Sequence, residues 1–253
     1  MSSDFDPKEE AFERNKTESF ISEHYIFHYA PGSLAEKDIL LIAETQENCF
    51  SKICATLQSE YPEQIHYYLT DSPFEIGRVF WNEGTPCNGC ALCGRNKIYA
   101  TYNENVKCIG SHEDTHLISF PLNYPESDFV VEGLAMYMDG LWWSIPNEVW
   151  TAYYKTKYEN LSIKDLFSNE IFADYGCVIT YPIAGAFTKF LIDEFGIEQY
   201  IHFYKYTGEE YDTIMQTIFN MTIEEIVERF WHKISKITFD ASVLEEMLRI
   251  EGF

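Results

Sequence analysis

His112-Glu113-Asp114-Thr115-His116 sets two histidines four residues apart with an acid directly after the first, and that spacing asks for a helix. On an α-helix the second histidine stands about 6 Å along the axis and about 40° around it, so both imidazoles can grip one ion. Glu113 cannot join the same tetrahedral set comfortably, yet its carboxylate can reach a water held by the metal, where a general base belongs. Sixteen residues after His116 comes Glu132-Gly133-Leu134-Ala135, inside a run from Phe129 to Met138 that is apolar on most sides and reads as a buried helix. Glu132 is the one charge in that run, and a buried carboxylate needs a partner. A metal would supply it, giving the two-histidine, one-carboxylate set of a catalytic zinc site. The competing readings are a buried ion pair with one of only 18 Lys and Arg for Glu132, and a solvated helix whose two His share a face for the pentapeptide.

H-E-x-x-H followed by E-G-x-A on the next helix resembles the gluzincin metallopeptidases, and within them the compact peptidase-MA-like proteins, over about residues 95 to 235. The resemblance implies a zincin-like catalytic domain that hydrolyses peptide or protein substrates with one catalytic Zn2+. It makes His112, His116 and Glu132 the metal ligands and Glu113 the catalytic acid/base acting on a zinc-held water. It also implies a Tyr across the cleft that donates to the oxyanion, for which Tyr181 is the candidate and Tyr124 and Tyr137 its nearest rivals by sequence. In such proteins a sheet-edge strand before the motif helix lays substrate backbone along the metal. Lys97 to Asn103 stands in that place, and an ordinary covered strand is the alternative.

The rest of the chain supports an α+β fold. Phe20 to Ala30 reads as a strand ended by Pro31-Gly32-Ser33, Leu34 to Leu57 carries apolar residues at helical spacing, and Ile65 to Leu69 is a second strand. The opening is therefore β-α-β. Ser111 with Asp114 three residues on fits a cap at the start of the motif helix, and Pro121 and Pro125 end it. Helices are expected over 145–158, 179–195, 198–206, 211–219, 223–237 and 242–250. The division this implies is a mobile, polar arm at 1–17, an α/β lobe at 18–140 carrying the motif helices, and a mostly helical lobe at 141–253 closing the cleft.

Composition bounds the function class. A net charge of −23 argues against tracking a nucleic-acid backbone and against anionic membranes, since both need clustered Lys and Arg. No run of about twenty apolar residues occurs and the first residues lack the signature of an export signal, so a cytoplasmic enzyme is expected. The seven cysteines are less settled. Cys87, Cys90 and Cys93 lie in a Pro/Gly/Asn-rich loop with Cys108 downstream, and could hold a second, structural metal, act in redox chemistry, or be plain reduced thiols. Cys49, Cys54 and Cys177 fall on apolar positions and read as buried small hydrophobes. His24, His28, His66, His202 and His232 occur singly and read as packing or surface residues. Two further functions stay open beside the peptidase. One is a metal-binding interaction module that has lost hydrolysis, against which the presence of Glu113 argues. The other is a redox or iron–sulfur protein in which H-E-x-x-H is incidental.

Overall fold

A computed structural model describes residues 7–80, 84–206 and 210–252. The chain has the expected α+β character and forms two compact units, Met1–Phe120 and Pro121–Phe253. This division falls after the first motif helix, twenty residues before the expected one at 140, and so places the two motif helices in different units.

The first unit holds α1 (Pro7–Glu13), β1 (Glu18–Ile21), β2 (Tyr25–Tyr29), α2 (Leu34–Leu57), β3 (Ile65–Thr70), α3 (Pro73–Phe80), β4 (Gly89–Leu92), β5 (Lys97–Thr101) and α4 (Ser111–Ser119). Its sheet has the order β1-β2-β3-β5-β4, with β2, β3 and β5 parallel and an antiparallel strand at each edge. The expected β-α-β opening is thus β2-α2-β3. Side chains of a strand alternate between faces, and the register sorts them. Tyr25, Phe27, Tyr67 and Ile98 point to the face that carries α2 and α4, where Tyr25 meets Phe50 of α2. His28, Tyr68 and Tyr99 share the other face and stack as a ladder, with centroids 4.4 Å and then 5.1 Å apart. Phe12 of α1 and Ile76 of α3 close over that ladder.

Several elements differ from expectation, each for a tertiary reason. The segment 20–30 is a hairpin, because Glu47 of α2 accepts from the His24 backbone N–H at 2.9 Å and meets His24 Nδ1 at 2.6 Å, pinning a turn between β1 and β2. Residues 1–6 of the expected arm lie outside the described residues, and residues 7–13 are helical. α1 buries Phe12 and docks Glu9, itself 6% exposed, on Arg95 and Lys97, while Glu13 takes Lys97 and the Tyr99 hydroxyl. A sequence this polar carries no periodic signal for such a contact. β5 is covered, not an edge: β4, which the loop-like composition of 87–93 conceals, pairs along its outer side from Gly89↔Ala100 to Leu92↔Lys97. The motif helix is not capped by Ser111. Gly110 is the N-cap residue, at φ 141°, and Gln46 of α2 holds it by donating to its C=O at 3.1 Å and accepting from its N–H at 2.8 Å.

The second unit holds α5 (Asp128–Asp139), the hairpin β6 (Leu141–Trp142) and β7 (Ile145–Pro146), α6 (Asn147–Lys157), α7 (Asn169–Tyr175), α8 (Cys177–Phe195), α9 (Ile197–Lys205), α10 (Tyr211–Phe219), α11 (Ile223–Ile234) and α12 (Ala241–Glu251). Ile145 belongs to the hairpin, so the helix expected from 145 begins two residues later. The hairpin turn puts Trp143 and Ser144 at φ 50° and 64°, the left-handed pair of a type I′ connection. α5 and α8 form the central helix pair, and two glycines permit their approach. A Cβ at Gly133 would meet Thr188 Oγ1 at 2.6 Å, and one at Gly185 would meet Met136 Cβ at 2.7 Å. Phe129, Phe187, Phe190 and Phe230 fill the adjoining core. α11 opens with a capping box between Thr222 and Glu225. No helix among the described residues is long and apolar enough to cross a membrane.

Candidate metal centre

α4 buries Ser111, Asp114, Thr115, Leu117, Ile118 and Ser119, and the residues it leaves half-buried are His112, Glu113 and His116. Helical geometry explains the split, because 112, 113 and 116 fall within a 100° sector while the rest of the turn faces α2 and the sheet. Asp114 anchors the inner face. Fully buried, it accepts from the Tyr25 hydroxyl at 2.7 Å and from Gln46 Nε2 at 2.8 Å. These contacts orient the helix about its own axis, so the outward sector is set from within.

On that sector the Nε2 atoms of His112 and His116 are 3.3 Å apart, with ring planes at 86°. Two nitrogens bound at 2.0–2.1 Å to a tetrahedral zinc stand about 3.3–3.4 Å apart, so the pair has the spacing of two zinc ligands. Glu113 reaches the other way, over the start of β4. A side chain on Gly89 would run into the Glu113 carboxylate and the Cys108 sulfur, so the absence of a Cβ there makes room for both.

Glu132 lies in the second unit, half-buried on α5 and one turn after Asp128. Its negative charge is felt locally: the Asp128 carboxyl is raised by burial and then by Glu132. The Cys177 thiol is raised chiefly by burial, with backbone N–H hydrogen bonds opposing and Glu132 adding to the rise. Tyr181 sits in the second turn of α8, which starts at Cys177, earlier than the expected 179. Its ring lies 5.8 Å from that of Trp142 and 6.1 Å from that of Phe172, centroid to centroid. Of its rivals, Tyr124 is 53% exposed and Tyr137 is half-buried on α5.

The cysteine cluster does not converge. Among the described residues, no three of Cys87, Cys90, Cys93 and Cys108 bring their sulfurs together as a ligand set. Cys87 donates to the Gly89 carbonyl at 3.0 Å and Cys93 to the His116 carbonyl at 3.4 Å. Burial pushes the Cys93 thiol up to about 11 and raises that of Cys90 further, with Glu113 adding to both. Raised thiols are protonated at neutral pH, the opposite of the lowered pKa that a reactive thiolate needs. Cys49 and Cys54 are half-buried and Cys177 is exposed, so none is the buried hydrophobe expected. His28 and His66 pack against each other across β2 and β3, with His28 Nε2 and His66 Nδ1 3.0 Å apart.

Sequence reasoning passed over Gln46, Tyr25 and Gly89, and it gave Asp114 a capping role with Ser111, whereas Asp114 is turned inward onto Tyr25 and Gln46. The partners that use it come from residues 25 and 46, and nothing local announces them. Compared with known proteins, the chain matches no family model and no curated protein.

Proposed function

We propose that the chain is a zinc-dependent peptidase of gluzincin type, with His112, His116 and Glu132 as the metal ligands and Glu113 as the acid/base. The observation that carries this reading is the outward sector of α4, where His112, Glu113 and His116 are the residues left accessible and the two Nε2 atoms stand at zinc-ligand spacing. Zinc, when bound, supplies Lewis acidity for the scissile carbonyl and makes water a better nucleophile. Glu113 takes the proton of the attacking water as the carbon–oxygen bond forms, and hands it to the departing amine as the carbon–nitrogen bond breaks. Tyr181 donates its phenolic hydrogen bond to the developing oxyanion.

The substrate is a peptide or protein. The chain's net charge of −23 disfavours polyphosphate and anionic-membrane partners. We infer a cytoplasmic setting, in which the seven cysteines would stay reduced.

Metal analysis and peptide digestion on two variants test the assignment. Glu113→Gln keeps about one zinc per chain and loses hydrolysis by several orders of magnitude, whereas His116→Ala loses both. A Glu113→Gln protein with full activity overturns the mechanism. A wild-type chain that holds zinc but cleaves nothing in a peptide library leaves the metal-binding module as the reading.

A further inference from the structure

Far from α4 in sequence, α1 and α3 leave between them a cavity of about 390 Å³, lined by Lys8, Phe12, Lys16, Glu75, Arg78 and Val79. That volume is within the range of small-molecule sites. Its charge is unlike that of the chain around it. The sequence has 18 Lys and Arg against 41 Asp and Glu, yet among the described residues three cations and a single carboxylate line this cavity.

Lys16 is the unusual member. Its side chain is 4% exposed, and an ammonium that far from water is costly unless compensated. Glu75 accepts one of its three N–H donors at 3.0 Å, and the Phe12 ring lies under it with the ammonium 3.5 Å from the centroid. Glu75 divides its charge, since the same carboxylate oxygen also accepts from the Thr70 hydroxyl. The Glu75 carboxyl is held below the usual carboxylate range by the Thr70 and Lys16 hydrogen bonds, against the opposing effect of its burial. Among the described residues, Glu75 is the carboxylate that meets the Lys16 charge, and it shares that charge with the Thr70 hydroxyl. Phe12 and Val79 offer an apolar wall beside it, and Lys8 and Arg78 stand exposed at the rim.

We propose that the cavity between α1 and α3 binds a small amphipathic organic anion, with a phosphate or carboxylate head against Lys16 and Arg78 and an apolar body over Phe12 and Val79. Arg78 supplies a planar fork suited to such a head group, and Lys16 a point charge in a partly dry setting, where a charge-assisted hydrogen bond is worth more than at an open surface. The site lies wholly in the first unit and uses none of the proposed peptidase residues, so it stands or falls independently of that activity.

Isothermal titration of the full chain at low salt tests it with four probes: phenyl phosphate, benzoate, inorganic phosphate and benzyl alcohol. Phenyl phosphate or benzoate saturates at one per chain, and whichever binds more tightly identifies the head group. Inorganic phosphate and benzyl alcohol, each with half of the recognition, bind at least tenfold more weakly. Arg78→Gln and Lys8→Gln alter exposed rim residues and leave the fold intact, and together they weaken the tighter probe by about tenfold or more. Lys16→Met abolishes the binding, and its circular dichroism spectrum reports whether the fold is kept. The proposal is overturned if neither aromatic anion saturates, if the rim double variant binds as the wild type does, or if inorganic phosphate binds as tightly as the aromatic anions.

Discussion

Asp114 sets the position of the motif helix without being one of the proposed metal ligands or the proposed base. It is buried between Tyr25 and Gln46 and takes a hydrogen bond from each. Asp114→Ala would strand both donors in the interior, where an unsatisfied polar group costs about 1–3 kcal/mol apiece. We expect unfolding free energy by urea titration to fall by about 2–4 kcal/mol, with affinity for the proposed zinc falling as well because the helix loses its axial anchor. A variant as stable as the wild type would show that Asp114 is not the anchor. The oxyanion role proposed for Tyr181 is open to direct test. Tyr181→Phe removes one oxygen and keeps the ring that packs beside Trp142 and Phe172. Turnover should fall by about ten- to a thousandfold, with zinc content and melting temperature nearly unchanged, as for loss of one oxyanion donor. Turnover within about twofold of the wild type would pass the role to another residue.

Among the elements, the β2–β3 pair stores a pH response. His28 is lowered from 6.5 to about 4, first by burial in the aromatic ladder and then by neighbouring His66, with Lys97 acting the same way and Glu13 opposing. His66 is lowered too, by burial and by Lys97. Between pH 6.5 and 4 the unfolded chain takes up protons that the folded chain refuses, so stability is full above pH 6.5, declines as pH falls, and levels off below about 4. Because His28 keeps substantial contact with solvent, its share is about 1 kcal/mol, less than the whole shift would suggest. Urea unfolding at pH 7 and pH 4.5 should show a smaller difference for His28→Gln than for the wild type. An unchanged difference would place the pH response elsewhere.

The same scale shows which elements declare themselves. The helix over 34–57 is found with its bounds intact, because a 24-residue apolar repeat that buries Ile42, Phe50 and Ile53 on one side repeats its signal at every turn. The seven residues of α1 cannot do so. What holds them is Arg95 and Lys97, more than eighty positions away. β4 was hidden for a related reason, since a Gly- and Cys-rich strand has weak intrinsic preference and exists because the outer edge of β5 lay open to it.

At the scale of the whole molecule, a net charge of −23 works against compaction through self-repulsion. Raising NaCl from about 0.01 M to 0.5 M shortens the screening length from about 30 Å to under 8 Å, so repulsion between distant acids fades while partly buried pairs such as Glu13 with Lys97 are screened less. The melting temperature should rise by several degrees across that range. A flat or falling curve would mean that the ion pairs outweigh the net charge.

What the amino-acid sequence determined by itself is whatever repeats at a fixed local spacing. The histidines at i and i+4 with their adjacent glutamate, the long amphipathic helices and the β-α-β opening all follow from periods of 3.6 and 2, which any segment carries within itself. Tertiary structure decided what depends on partners distant in the chain: the axial setting of α4 by Tyr25 and Gln46, the docking of α1, the covering of β5 by β4, and the separation of the cysteines. The physical reason is that a buried charge or an open strand edge must be satisfied by some group, while the local sequence states only the need and not which residue will meet it.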